Sequence, residues 1–281
     1  MMKVSSPFIT PKAPEILYRN DLYKLVKAMI KDYKSVLTIY REKENQVALD
    51  AEGSWLTTDV MSRMDKLGAK WGKRFEEFAQ THSKKFVQKM LKLSNTQLKS
   101  MLKNWFSDER LELLGETIPV DLRQVVNANA AYNVSLISSI PIQYHDRIFG
   151  SLMRSITGGG SLKQLTIELN RYGVKSMKRA KLIAADQTNK VYQSITMFNC
   201  KRLGIQKMQW LHSHSDKDPR PLHIRKWDGK SSPDDPNGLD GLIFDLDKPP
   251  LIQKAQGNLK AIHGYPKQLF GCSCLMRAVL E

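Results

Sequence analysis

Apolar residues recur every three or four positions over most of the first two hundred residues, the spacing of one buried helix face. From Asp21 the stripe runs Leu22, Leu25, Val26, Met29, Ile30, Tyr33, Leu37 and Tyr40, with Asn20 placed as an N-cap, and it fades over 41–45. A second stripe holds Val60, Met61, Met64, Leu67, Trp71, Phe75, Phe78, His82, Phe86 and Met90 and predicts a helix from near 58 to about 93. Gly68 and Gly72 lower its helix propensity and mark a kink or a close helix contact. His82 lies on the apolar stripe and reads as a packed histidine. Ser94-x-x-Gln97 has the form of a capping box and predicts a third helix through Trp105.

Pro119 and Asp121 open another helical stretch to about Ser135, Pro141 interrupts the apolar segment Val134–Ile142, and a further helix from Gln143 carries Ile148, Leu152, Met153 and Ile156 up to the glycines at 158–160. That triplet lacks both the Lys-Ser/Thr of a phosphate-binding loop and a preceding strand, so it reads as punctuation. Ser161-x-x-Gln164 caps the next helix, 162–171, which stops at Gly173. The strongest helical signal, 176–203, has a narrow stripe of Ala180, Ala184, Val191, Ile195 and Phe198, and Gly204 ends it. Residues 1–19 contain Pro7, Pro11 and Pro14 without a period and read as an extended arm. After Gly204 the texture changes. Short strands are expected at 208–211 and 242–244 and a terminal one at 269–280, among loops rich in His, Asp, Pro and Gly. The expected fold is mainly α with a small β-containing C-terminal module (α+β). Its parts are an arm (1–19), a helical region (20–119), a helical core (120–204) and a loop-rich module (205–281).

Composition narrows the function. Of 281 residues, 41% are apolar and 26% charged, the balance of an ordered globular protein. The N-terminus lacks a signal peptide's apolar core, no run reaches membrane length, and three cysteines exclude a disulfide scaffold. A soluble protein made in a cytoplasm is expected. The net charge is +16 and uneven: residues 151–209 carry eleven Lys and Arg against only Glu168 and Asp186. Such a field attracts polyanions. Lys178, Arg179, Lys181, Lys190, Lys201 and Arg202, at the ends and flanks of the last long helix, are candidate contacts to double-stranded DNA. Aromatics are not interleaved with them, so a platform for stacking single strands is not indicated.

The C-terminal module concentrates ligand chemistry: His212, His214, Asp216, Asp218, His223 and Asp228, then Cys272 and Cys274. In a strand, positions i and i+2 share a face, so both thiols can aim at one metal. Two thiolates and two imidazoles would make a closed zinc site, stapling a module too small for a large core. His223 is the first choice of imidazole, His214 or His263 the second. Thiols packed or hydrogen-bonded without metal are the plainer reading, and a regulated redox pair is a third. Cys200, on the long helix, reads as core. Asp216, His223 and Asp228 could instead hold a divalent ion that cuts phosphodiesters, although aspartates in such loops are more often turn formers. Asp228-Gly229 reads as a tight turn, and Arg220 as a brace for the Asp-rich loop or for a partner's carboxylate.

The order of signals from about Asn127 resembles the phage minor head protein family, also called Mu F-like or head-morphogenesis. The matching pieces are Ala130-Ala131-Tyr132-Asn133-Val134, Leu136-Ile137-x-x-Ile140-Pro141, the glycines at 158–160, Arg179-Ala180-x-x-Ile183-Ala184 and Leu203-Gly204-Ile205. Trp210, Asp218-Pro219-Arg220-x-x-His223, Trp227-Asp228-Gly229 and Cys272-Ser273-Cys274 complete the series. The chain departs from the usual pattern at Ala185-Asp186-Gln187, where the family has Arg-Thr-Glu, at Trp227 and at Ser273. The resemblance implies a non-enzymatic virion component inside the capsid near the portal vertex. Its implied partners are the portal protein, capsid or scaffold proteins and double-stranded DNA, with no membrane. Only seven residues follow Cys274, so no appended enzyme is expected there. The alternatives are a metal-dependent nuclease and a DNA-binding protein that is not part of a virion.

Overall fold

The computed structural model describes residues 3–47, 53–115, 120–158, 162–213, 220–224 and 238–280. The protein is mainly helical with a small antiparallel sheet towards its C-terminus. Strand β1 (Lys3–Val4) precedes α1 (Lys12–Val47), α2 (Gly53–Leu102), the short α3 (Asp108–Glu112), α4 (Val120–Gly158) and α5 (Leu162–Arg202). Then come β2 (Lys207–Leu211), a 3-10 turn (Pro221–His223), β3 (Ile243–Asp245), β4 (Leu251–Gln253), β5 (Ile262–His263) and β6 (Leu275–Leu280). Among the described residues, no helix is long and apolar enough to cross a membrane.

The helices run through several of the stops read from the sequence. Asn20 lies inside α1, not at its start. Ser94 lies inside α2, fully buried, its hydroxyl 3.0 Å from Thr196 Oγ1, so it serves packing and not a cap. Pro141 is tolerated inside α4, where it removes one intrahelical bond while Ile140 and Tyr144 beside it are buried. Gly173 does not end α5: it is buried, and a β-carbon there would lie 3.0 Å from Ile30 Cδ1, so glycine permits close approach of α1. The extended N-terminal stretch is also shorter than the expected 1–19, because α1 begins at Lys12 with Pro14 in its first turn. It is no free arm. Val4 pairs with Val279, the Phe8 amide donates to the Met276 carbonyl at 2.9 Å, and Phe8 is fully buried. Gly159, Gly160 and Ser161 lie outside the described residues.

The chain divides into two compact units, Glu15–Phe86 with Ala130–Ala185, and Met1–Pro14 with Val87–Asn129 and Asp186–Glu281. These boundaries differ from those at 19, 119 and 204, since α2, α4 and α5 each contribute to both units. Among the described residues, the first unit is built from helices alone. Tyr33 and Tyr144 meet edge to face in its core, centroids 5.1 Å apart, and Trp71 and Phe75 of α2 are fully buried against each other, centroids 6.3 Å apart. Two pairs of polar groups meet inside: Tyr18 donates to Asn133 Oδ1 at 2.6 Å, and Tyr33 Oη lies 2.8 Å from His145 Nδ1. His82 packs against Phe78 and reaches Asp21 Oδ2 at 3.2 Å.

In the second unit a four-stranded sheet has the order β1-β6-β2-β3, with antiparallel neighbours throughout. Met208 and Trp210 of β2 are buried opposite Ala278 and Met276 of β6, while Lys207, Gln209 and Leu211 stay half-exposed, the alternation a one-sided sheet requires. A polar layer joins the helix ends of this unit. Asn199 donates to Asn95 Oδ1 at 2.6 Å, Asn95 donates to the Gly115 carbonyl at 2.6 Å, and Tyr192 donates to Gln97. After α5, Gly204 takes φ +73°, and the amides of Gly204 and Ile205 return to the carbonyls of Lys201 and Cys200. This is a Schellman end that a side chain at 204 would strain.

Candidate metal centre

Three donors from distant parts of the chain meet in the second unit. His223, Cys272 and Cys274 are 2%, 5% and 1% exposed, their ligand atoms all lie within 4.8 Å of one another, and the group could hold a metal ion. Each is positioned by backbone contacts. The 3-10 turn ending in His223 closes with the His223 amide on the Arg220 carbonyl at 2.9 Å, and the Leu239 amide bonds Leu222. Arg220 Nη2 donates to the Phe270 carbonyl at 2.8 Å, so it braces the cysteine turn. The Gly271 amide donates to Asp186 Oδ1 of α5, tying that turn to the helix. Cys272 and Cys274 precede β6, outside the strand where their i, i+2 spacing was expected to align them, yet both sulphurs lie 3.6 Å from His223 Nδ1.

The imidazole is oriented as well as placed. His223 Nε2 lies 3.1 Å from the Ile252 carbonyl, an acceptor only, so Nε2 carries the proton and Nδ1 presents its lone pair to both sulphurs. Trp210 covers the ring edge to face, centroids 5.1 Å apart. The Cys272 thiol is held well below the ordinary thiol range, first by the hydrogen bond with Cys274, then by His223 and the Lys267 amide at 3.4 Å; burial opposes them. A tetrahedral ion with metal–sulphur and metal–nitrogen bonds of ~2.3 and ~2.05 Å would hold N and S about 3.6 Å apart. The observed separations fit a metal and equally direct hydrogen bonding between the imidazole and the sulphurs.

The remaining sequence candidates separate. His263 is exposed, bonds the Pro249 carbonyl and lies outside the cluster. His214, Asp216, Asp218, Asp228 and Gly229 lie outside the described residues. Cys200 is fully buried, and burial pushes its thiol up, as a core cysteine requires. Among the DNA candidates, Lys178 and Lys181 are exposed on α5 and Arg202 is half-buried. Arg179 donates to Ser139 Oγ at 2.7 Å, and Lys201 pairs with Asp247 at 2.7 Å. Lys190 corrects that expectation. It lies 2.8 Å from buried Asp186 with only 13% of its side chain exposed, so its charge serves the interior. Lys267, unremarkable in sequence, is buried beside the cysteines at φ +64°, and Ile252 contributes through a backbone carbonyl that no motif signals.

The chain is 25% identical over 275 residues to an uncharacterized protein of Haemophilus influenzae, a match that covers 98% of this chain and 55% of that protein. The chain thus spans about half the length of that relative. No family description and no solved structure matches it.

Proposed function

We propose that this chain is a structural assembly protein of a tailed-phage head. In this reading it sits inside the capsid near the portal vertex, bound to the portal protein and to capsid or scaffold proteins and touching packed double-stranded DNA, and it catalyses nothing. One observation carries the reading. Trp210, His223, Cys272 and Cys274, which share the ordered series that resembles the minor head family, meet in one buried cluster although up to 64 positions separate them. A buried, backbone-anchored cluster suits a fastening more than a reaction centre, because its three donors are at most 5% exposed and held by the backbone around them. The cluster's chemistry favours zinc as that fastening: two sulphurs and a correctly oriented imidazole, with a backbone carbonyl behind the ring. Zinc would supply cross-linking, and His223, Cys272 and Cys274 would hold it.

The nuclease reading is less well supported, since among the described residues His223 faces two thiols and a carbonyl and no carboxylate. Co-purification with portal rings at low stoichiometry is the expected result, and absence of the chain from purified particles overturns the proposal. Elemental analysis of freshly purified protein tests the ion separately; less than about one zinc per several chains removes it.

A further inference from the structure

A second site lies in the helical unit, away from the cysteine cluster. Gln143, Tyr144 and Arg147 of α4 face Lys175, Ser176 and Arg179 of α5 across a cleft of about 610 Å³, on the scale of a small-ligand pocket. The spacing explains the convergence: 143, 144 and 147 share one helix face, and 175, 176 and 179 share another. The two faces are brought together because the helices run antiparallel here, with Ser151 donating to Glu168 further along the pair and Arg179 meeting Ser139. Three cations line the cleft against one carboxylate, Asp146, leaving a surplus of two positive charges.

Two buried donors of this cleft lack partners among the described residues. Tyr144 is 1% exposed, and its hydroxyl has no hydrogen-bond partner there; Arg179 Nε is buried and equally unpartnered, while its Nη2 meets Ser139. A buried donor without an acceptor costs about 1–3 kcal/mol, so such groups commonly mark an acceptor that arrives from outside. Both unmet groups here are donors. Burial pushes the Tyr144 hydroxyl up, so it remains protonated at every physiological pH. Lys175 lies 5.3 Å from the centre of the Tyr172 ring, which orients its ammonium beside the cleft. Convergent guanidinium, ammonium and hydroxyl donors are the chemistry of phosphoryl recognition, in which Arg supplies a planar fork and Lys a point charge.

We infer that the cleft between α4 and α5 binds a phosphoryl group through Arg147, Lys175, Arg179 and the Tyr144 hydroxyl. The site stands whether or not the chain belongs to a phage head. The phosphoryl group can come from a nucleic-acid backbone or from a small phosphorylated ligand, and the test separates these sources.

Binding of pyrophosphate to the full chain is measured by calorimetry, and binding of a short DNA duplex by fluorescence anisotropy over a salt series. The variants are R147Q/K175Q, R179Q and Y144F, with K84Q/K85Q on exposed α2 positions removing the same charge as the double variant. Pyrophosphate binding is expected to weaken about tenfold or more in R147Q/K175Q and severalfold in Y144F, which keeps every charge, and to survive in K84Q/K85Q. If duplex affinity falls with it, and the salt slope drops by about one to two, the backbone of DNA is the source. If the duplex is indifferent while pyrophosphate binding is lost, a small phosphorylated ligand is the source. Circular dichroism verifies the fold of each variant. Absence of pyrophosphate binding to the unaltered chain, or equal losses in R147Q/K175Q and K84Q/K85Q, overturns the inference.

Discussion

The ammonium of Lys267 and the hydroxyl of Thr10 lie 2.6 Å apart although 257 positions separate them, and both residues are buried. Burial first, then the charge of Lys12, lowers the Lys267 ammonium from 10.5 to about 8, while Cys272 and Cys274 pull it up. The folded chain therefore releases this proton at lower pH than the unfolded chain does. Between about 8 and 10.5 the unfolded chain binds more protons, so this group makes stability rise with pH across that window. Below the window its cost is fully present. Denaturant midpoints compared at pH 7.5 and 9 should rise less in Lys267→Met than in the parent chain. An unchanged difference would remove Lys267 as the source.

Gly68 and Gly72 share α2 but not a neighbourhood. A β-carbon at Gly68 would lie 2.9 Å from the His145 ring, which Tyr33 holds in place, whereas one at Gly72 meets nothing within 4 Å. Gly72→Ala is expected to stabilise by about 0.5–1 kcal/mol through helix propensity. Gly68→Ala forfeits that gain by displacing His145 and should be neutral or destabilising by about 1 kcal/mol. Thermal melts of the two variants, side by side, check this; equal stabilisation would mean that His145 yields freely.

The Asn95–Asn199 pair bridges helix ends with both amides buried. Asn95→Ala leaves the Gly115 carbonyl and the Asn199 amide without their partner and should cost about 2–3 kcal/mol. The double variant Asn95→Leu/Asn199→Leu should cost less than the sum of its single changes, because it removes both halves of the pair. Urea titrations give all the values, and strict additivity would show that the two amides do not interact.

Cys272→Ser and His223→Ala should loosen the β-containing module and leave the helical unit intact. Limited proteolysis would show it as faster cleavage within 205–281 against unchanged bands from the helices. A chelator should reproduce the effect in the parent chain if zinc is the fastening, and equal resistance of all samples would contradict the role given to this cluster.

Much of this molecule is legible in its sequence, and the failures share a cause. The stripes of α1 and α2 gave the buried residues well: Leu22, Val26, Met29, Tyr33, Val60, Met64, Trp71 and Phe75 are all core. Helix ends were misplaced at Asn20, Ser94, Pro141 and Gly173 because local signals yield where tertiary contacts outweigh them. Ser94 has Thr196 and Gly173 has Ile30, neither of which is near in sequence. Strands β1, β4 and β5 have at most three residues each, too short to show a period. At the candidate site, the side-chain donors His223, Cys272 and Cys274 were readable as residue types. The Ile252 carbonyl and buried Lys267 were not, since position alone gives them their roles.

Residues 3–8 complete the sheet only through β6, so a segment synthesised before the helices waits for one synthesised after them. During that interval Phe8 has no interior to enter and the edge of β6 does not yet exist. Closing so long a loop is entropically slow. The helical unit, assembled from segments that end at residue 185, can be in place before the sheet is closed, which lets β1 dock after the helices have packed.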